Sequence, residues 1–265
     1  MTELKDMTLR ICHLYPSLLS VAGDRGNLFS IQRRCEWRGI KTEVREVEVD
    51  EMADFSAYDL ILSHGGADRE MQLASRDIVK KGPALHDAVN NGSAFLAVCA
   101  AYQLLGHEYK PFKGDTLPGI GLLDLRTEGG SERFMTHLAM ECDFTGQKQV
   151  MVGYENHSGR TYLGSDAKPL GKVVAGWGNN GNDGFEGAIH KHVYGTYLHG
   201  PVLPKNPWFT DYLIKVGLEH RYGGPIELPA LDSRAEEAAH AVALKLAMQN
   251  KGKMSAIEAT TWKRA

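Results

Sequence analysis

The chain of 265 residues lacks an excess of charge of either sign: 30 Lys and Arg stand against 33 Asp and Glu, a net charge of −3. That balance excludes the strongly basic footprint of a nucleic-acid-binding domain, and no nucleic-acid partner is expected. No apolar run approaches the roughly 18 residues that a membrane-spanning helix needs. The first fifteen residues, Met1 to Tyr15, carry acids and no long apolar stretch, so no export leader is expected. Cysteine is scarce, at positions 12, 35, 99 and 142, with no Cys-x-x-Cys spacing. Reduced thiols in a cytoplasm and no metal site are the expectation. There is no G-x-x-x-x-G-K-[ST] pattern, so chemistry on ATP is not expected within this chain. Repeats and Pro/Ser linkers are also missing. What remains is an ordinary globular composition, 43% hydrophobic and 24% charged, long enough to bury a full core.

The first third alternates strand and helix patterns. Leu9 to Tyr15 reads as a strand, Asn27 to Arg38 as a helix stopped by Gly39, and Thr42 to Val49 as a half-buried strand with period two. Tyr58 to Ser63 is a short apolar strand ending in His64-Gly65-Gly66. A helix is predicted over Ser75 to Asn91. Ser93 to Cys99 is apolar along its whole length, as a central parallel strand covered on both faces should be. This alternation predicts an α/β fold: a doubly wound, mostly parallel sheet with flanking helices.

The middle of the chain changes character. Gly121 to Thr127, Phe134 to Phe144 and Gln149 to Tyr154 read as strands of a small antiparallel extension. Gly176 to Gly187, rich in Gly and Asn, reads as a turn or exposed loop. The strand His192 to Leu198 ends at His199-Gly200-Pro201. A helix with Pro207 at its first position runs to about Tyr222. Ser233 and Glu236 have capping-box spacing ahead of an Ala-rich helix to about Asn250. Residues 1–250 are therefore expected to form one domain, and 251–265 a flexible tail.

Ligands of open α/β sheets bind beyond the carboxyl ends of the strands. Cys99 sits at such an end, where a buried strand turns into a helical pattern among Ala97, Ala100 and Ala101. Taken alone, a cysteine there is an ordinary small buried side chain. Its position is also that of a nucleophile held up on a strand-to-helix turn, with the helix N-terminus favouring a thiolate. His199, at another strand end, could be an ordinary strand terminus or the base a thiol needs. Gly65 and Gly66 could be a plain turn, or backbone N–H groups aimed at a developing oxyanion.

These residues, with Gln103 four places after the cysteine and the segments GDRGN (23–27), HGGADRE (64–70), CAAYQLLG (99–106), GYENHSGRTY (153–162), GWGNNGNDGFEG (176–187) and GTYLHGPVLPKN (195–206), span nearly the whole chain. Together they resemble the class I, triad-type glutamine amidotransferases, in the cobyric-acid-synthase-like branch. Within it the chain is similar to the family of glutaminase subunits of lipid II isoglutaminyl synthases. The resemblance implies a flavodoxin-like amidotransferase fold. It implies Cys99 as nucleophile toward the side-chain amide of glutamine and His199 as general base and acid. Oxyanion donors would come from Gly65 or Gly66 and from Ala100, and Gln103 and Arg133 would hold the substrate. A guanidinium suits an amino-acid carboxylate, though Arg133 alone reads as a solvated loop residue. The implied partner is a Mur-ligase-like synthetase subunit in a heterodimer. That partner would bind ATP and Mg and use the ammonia to amidate the D-glutamate of lipid II, from the cytoplasmic side of the membrane. No cofactor is implied in this chain itself. The alternatives are a glutaminase serving another amidation, such as a cobyric-acid-type synthesis, an independent cysteine hydrolase, or an inactive regulatory module.

Two departures stand out. Where relatives have glycines after the cysteine, this chain has Ala100 and Ala101, and alanine tolerates positive φ poorly. Where many relatives carry an acid two places after the histidine, it has Pro201. The orienting acid is then expected from Glu155, from Asp211 or from the partner, with poor activity by the chain alone.

Overall fold

The computed structural model describes residues 3–20 and 23–261, with side chains to Gln249. The first layer is built from β1 (Thr8–Leu14), α1 (Arg25–Glu36), β2 (Lys41–Val47), β3 (Leu60–Ser63), α2 (Asp68–Asn90), β4 (Ala94–Val98) and α3 (Ala100–Leu104). The second begins with β5 (Glu108–Lys110), β6 (Leu117–Pro118), β7 (Leu125–Cys142), β8 (Gln149–Leu163), β9 (Gly171–Ala175) and β10 (Phe185–Glu186). The chain then returns to the first layer with β11 (Ala188–His190) and β12 (Val193–Thr196), and closes with β13 (Leu198–His199), α4 (Val202–Lys205), α5 (Pro207–Tyr222) and α6 (Arg234–Thr261). The expected tail, 251–265, falls on residues whose side chains are not described, and 262–265 lie outside the described residues.

The first sheet has the order β11-β12-β4-β3-β1-β2, parallel throughout except for β11. This is the doubly wound arrangement the alternating pattern predicts. Every side chain of β3 and β4 is buried, because helices cover one face and the second layer and α5 the other. Each fully buried Leu, Ile, Val or Phe there contributes about 1.5–3 kcal/mol. Gly39 ends the α1 turn with φ +72°, a left-handed conformation that glycine adopts without cost. Helix α2 starts two turns before the expected Ser75. Its first turn carries Asp68 and Glu70, which suit the positive end of a helix dipole.

The antiparallel part is larger than its sequence pattern suggests, a seven-stranded second sheet. Two of the expected strands merge into the single 18-residue β7, which passes through an irregularity between Gly129 and Phe134. That irregularity begins at the Gly129-Gly130 pair. A Cβ on Gly129 would stand 2.4 Å from the backbone N of Phe112. The Gly/Asn stretch 176–187 forms the expected turn, exposed over Asn182 to Phe185 and anchored by buried side chains on either side. Asn179, Asn180 and Glu186 are buried, and Asn179 exchanges two hydrogen bonds with the backbone of Gly187 while accepting the Tyr102 hydroxyl. Asparagine side chains replace the ladder hydrogen bonds that a strand would supply.

At α6, the expected capping box does not form on its own helix. Ser233 and Glu236 both accept hydrogen bonds from the buried Arg34 of α1. Arg34 also grips Asp211 through two bonds of 2.6 and 2.7 Å.

Candidate active site

Cys99 is the residue between β4 and α3, with φ +52° and ψ −106°. Holding a non-glycine residue there costs on the order of 1–3 kcal/mol, a strain that lifts the side chain off the sheet edge. The positive φ falls on the cysteine alone, since Ala100 and Ala101 are already helical. Alanine in place of glycine therefore does not disturb the elbow. The cysteine is partly exposed, whereas Cys12, Cys35 and Cys142 are buried free thiols pushed up by burial.

His199 reaches Cys99 because one chain segment changes sheets. Strand β12 pairs with β4 in the first sheet, and the Cys99 N–H donates to the Thr196 carbonyl at 2.8 Å. Two residues later β13 pairs with β8 in the second sheet, setting His199 opposite Tyr154. The Cys99 sulfur is close enough to act on the charge of the His199 imidazole. Its Nδ1 meets Asp24 Oδ2 at 2.8 Å, which leaves Nε2 for the sulfur. Burial pushes the imidazole down, but a thiolate on Cys99 and the carboxylate of Asp24 outweigh it and carry His199 up to about 10. The three side chains form a thiol–imidazole–carboxylate triad with its acid supplied from within the chain.

Asp24 is the residue that sequence reasoning missed. It is fully buried and lies 175 positions from His199, just ahead of α1, where the helix N-terminus favours a carboxylate. The surrounding GDRGN segment explains the closeness. A Cβ on Gly26 would stand 2.5 Å from Pro201 Cγ, and Asn27 Oδ1 accepts the Leu203 N–H at 2.9 Å. Pro201, in the place where an acid was expected, instead packs on Gly26 and brings His199 to Asp24. The signal was present as one of the matched segments, but nothing in its spacing selects Asp24.

Neither expected acid reaches His199. Asp211 is held below the usual carboxylate range: burial opposes ionisation, but Arg34 and Arg38 overcome it. Glu155 accepts the N–H groups of Trp177 and Gly178. The need for an acid from a partner disappears with them.

Beside Cys99 lies a cavity of about 230 Å³, below the usual range for drug-sized ligands and suited to one small molecule. Gly66, Cys99, Gln103, Arg133 and His157 are among the residues lining it. Gly66 lets the chain after β3 pass close to its neighbours, as a Cβ there would stand 2.4 Å from Leu19 Cδ2. The N–H of Ala100 is one of the free amides of a helix start. Gly65 is buried and does not line the cavity. Gln103 Nε2 donates to the Tyr197 hydroxyl at 2.9 Å. Arg133 is exposed at the lip, with Nε on Asn156 Oδ1 at 2.6 Å and no carboxylate partner among the described residues. A larger cleft of about 660 Å³, bordered by Arg34, Trp208, Asp211 and Ser233, is lined by none of the triad.

Behind Asp24 sit two buried histidines, His13 and His64, with Nε2 of the first 3.3 Å from Nδ1 of the second. Burial holds both below the ordinary imidazole value, His64 at about 3. Burial thus disfavours a positive charge on either ring.

The fold and triad are those of a cysteine-dependent amide hydrolase, and residues 10–207 match the CobB/CobQ-like glutamine amidotransferase domain, so the chain belongs to that family. It is 39% identical to the GatD subunit of lipid II isoglutaminyl synthase (glutamine-hydrolyzing) of Staphylococcus aureus, over 92% of this chain and 98% of that protein. To the GatD subunit of Streptococcus pneumoniae it is 34% identical, over 84% and 86%. Among solved structures, PurLQS from Thermotoga maritima shares the fold with a TM-score of 0.52 at 18% identity, covering 73% of this chain and 88% of that one.

Proposed function

We propose that this chain is the glutamine-hydrolysing subunit of a lipid II isoglutaminyl synthase. The observation that carries the chemistry is the Cys99–His199–Asp24 triad beside a small cavity with an arginine at its lip. The Cys99 thiolate attacks the side-chain amide carbon of glutamine, and the carbonyl oxygen becomes an oxyanion facing the N–H groups of Gly66 and Ala100. His199 gives its proton to the leaving nitrogen, releasing ammonia and a glutamyl thioester. The same imidazole then takes a proton from water, which attacks the thioester and frees glutamate and Cys99. Arg133 binds the substrate carboxylate through its planar fork, and Gln103 holds the amino-acid end.

The acceptor side of the reaction is assigned by likeness. The two GatD relatives are subunits of lipid II isoglutaminyl synthase, and this chain spans nearly the whole of one. The ammonia would pass to a Mur-ligase-like synthetase subunit that binds ATP and Mg and amidates D-glutamate of lipid II at the cytoplasmic face. No described helix is long and apolar enough to cross a membrane, so lipid II would be reached through that partner. The test is amidation of lipid II by this chain with its synthetase, glutamine and ATP. Cys99→Ser should abolish glutamine-dependent amidation while added ammonia restores it. Undiminished glutamine-dependent product from Cys99→Ser would overturn the reading.

A further inference from the structure

The cavity beside Cys99 is walled from two sides. The first layer supplies Gly66, Asp68, Cys99 and Gln103, and the second sheet supplies Arg133 and Asn156. Among the described residues that line it, Asp68 is the one carboxylate and Arg133 the one guanidinium. Both are exposed, which places them at the mouth, while Cys99 is only partly exposed.

Neither charge is neutralised by the protein. The Asp68 side chain makes no hydrogen bond or ion pair with any described residue, and Arg133 meets no carboxylate among them. Asn156 accepts Arg133 Nε–H on Oδ1 at 2.6 Å and an Nη2 hydrogen on its carbonyl at 3.2 Å. That leaves both hydrogens of Nη1 and one of Nη2. The free edge of the fork is the pair of tips, which a carboxylate can bridge. Two opposite charges that share a space of about 230 Å³ without pairing fit a ligand that carries both signs. The head of a free amino acid, with an ammonium and a carboxylate on one carbon, is such a ligand.

We infer that Asp68 is a specificity-determining residue, which binds the α-ammonium of glutamine while Arg133 binds its α-carboxylate. The head lies at the mouth between the two walls, and the side-chain amide reaches inward to Cys99. Gln103 Nε2 is engaged by the Tyr197 hydroxyl, so its amide oxygen is left to share the ammonium, which has three hydrogens. The arrangement selects free glutamine. Within a peptide, the glutamine nitrogen is acylated and uncharged, and Asp68 would lose its partner. The inference rests on the amidotransferase reading for its substrate.

Tyr109 also lines the cavity and senses both charges. Burial pushes its hydroxyl up, Asp68 and Cys99 add to the shift, and Arg133 opposes it.

Two truncated substrates separate the charges. One is 4-carbamoylbutanoic acid, glutamine without its α-amine, and the other is 4-aminobutanamide, glutamine without its α-carboxylate. Ammonia release is measured for the full chain with its synthetase, and inhibition of glutamine hydrolysis replaces KM where turnover is slow. Asp68→Asn keeps the size and loses the charge, so KM for glutamine should rise about ten-fold with kcat changed by less than about three-fold. The same loss should appear on 4-aminobutanamide, while 4-carbamoylbutanoic acid should differ from wild type by less than about two-fold. Asp68→Glu, which keeps the carboxylate, should stay within about three-fold of wild type on glutamine. An unchanged KM for glutamine in Asp68→Asn would overturn the inference. So would equal losses on glutamine and the amine-free substrate, since a carboxylate that serves only the start of α2 does not sense an α-amine. A wild-type complex that hydrolyses no glutamine would overturn the amidotransferase reading. Calorimetric titration of glutamine into wild type and Asp68→Asn then decides the residue: about ten-fold weaker binding in the variant upholds it, and equal binding or none overturns it.

Discussion

Asp24→Asn separates an internally completed triad from one that waits for a partner. The substitution keeps size and shape at a fully buried site but replaces a charge-assisted acceptor 2.8 Å from His199 Nδ1. Two things are lost. The imidazolium loses one of the two groups that carry it up to about 10. The asparagine NH₂ can also turn toward Nδ1 and favour the tautomer with its hydrogen on Nε2, which cannot take a proton from the thiol. In a serine-protease triad the corresponding change costs about 10⁴ in kcat. A thiol ionises more readily than a hydroxyl and needs its base less, so the expectation here is a fall of about 10²–10³. At 1.36 kcal/mol per factor of ten that is about 2.7–4.1 kcal/mol of barrier. Asp24 does not line the cavity, so KM for glutamine should change less than about three-fold. The assay is glutamate release by the purified chain, with circular dichroism confirming the fold, repeated with the synthetase added. A folded Asp24→Asn protein that keeps a third or more of wild-type kcat refutes the assignment. Full restoration on adding the synthetase would return the orienting role to the partner.

Arg133→Lys keeps the charge and loses the planar fork, so KM for glutamine should rise about ten-fold, while a neutral amide without an α-carboxylate is barely affected; equal losses on both substrates would make Arg133 structural. A methyl group on Gly159 would stand 2.3 Å from Gln103 Nε2, so Gly159→Ala should raise KM for glutamine several-fold by displacing that amide, and an unchanged KM would remove Gln103 from the substrate site. His64 and His157 are depressed to about 3 by burial, so between the ordinary value of 6.5 and about 3 the unfolded chain binds more protons than the folded one. Stability to urea should therefore fall as pH drops through that window, and His64→Asn should flatten the fall if it folds. His199, raised to about 10, has the opposite sign: its contribution is complete below 6.5 and is lost as pH climbs toward 10. A urea midpoint that stays level from pH 6.5 to 10 would contradict that protonation state.

What the sequence determined by itself is local and periodic. The β–α alternation to Cys99, the all-apolar β4, the stop at Gly39 and the helix start at Pro207 follow from side-chain period and backbone preference, which act over a few residues. Cys99 was legible because its own turn sets its geometry, and His199 because it closes an apolar strand. Arg133 and Gln103 were legible only through likeness to a family. Asp24 was not legible as the acid, since its role depends on Gly26 admitting Pro201 from far along the chain. Glu155 was visible as a candidate orienting acid, but which carboxylate meets His199 is decided by how β13 joins the second sheet and where Asp24 arrives. The Gly/Asn stretch was legible as a turn, but the hydrogen bonds its asparagine side chains make were not, since they carry no period. Periodicity records which face of an element is buried. Which elements meet is decided by long-range packing, and the triad exists only where three loops from distant strands converge at one sheet edge.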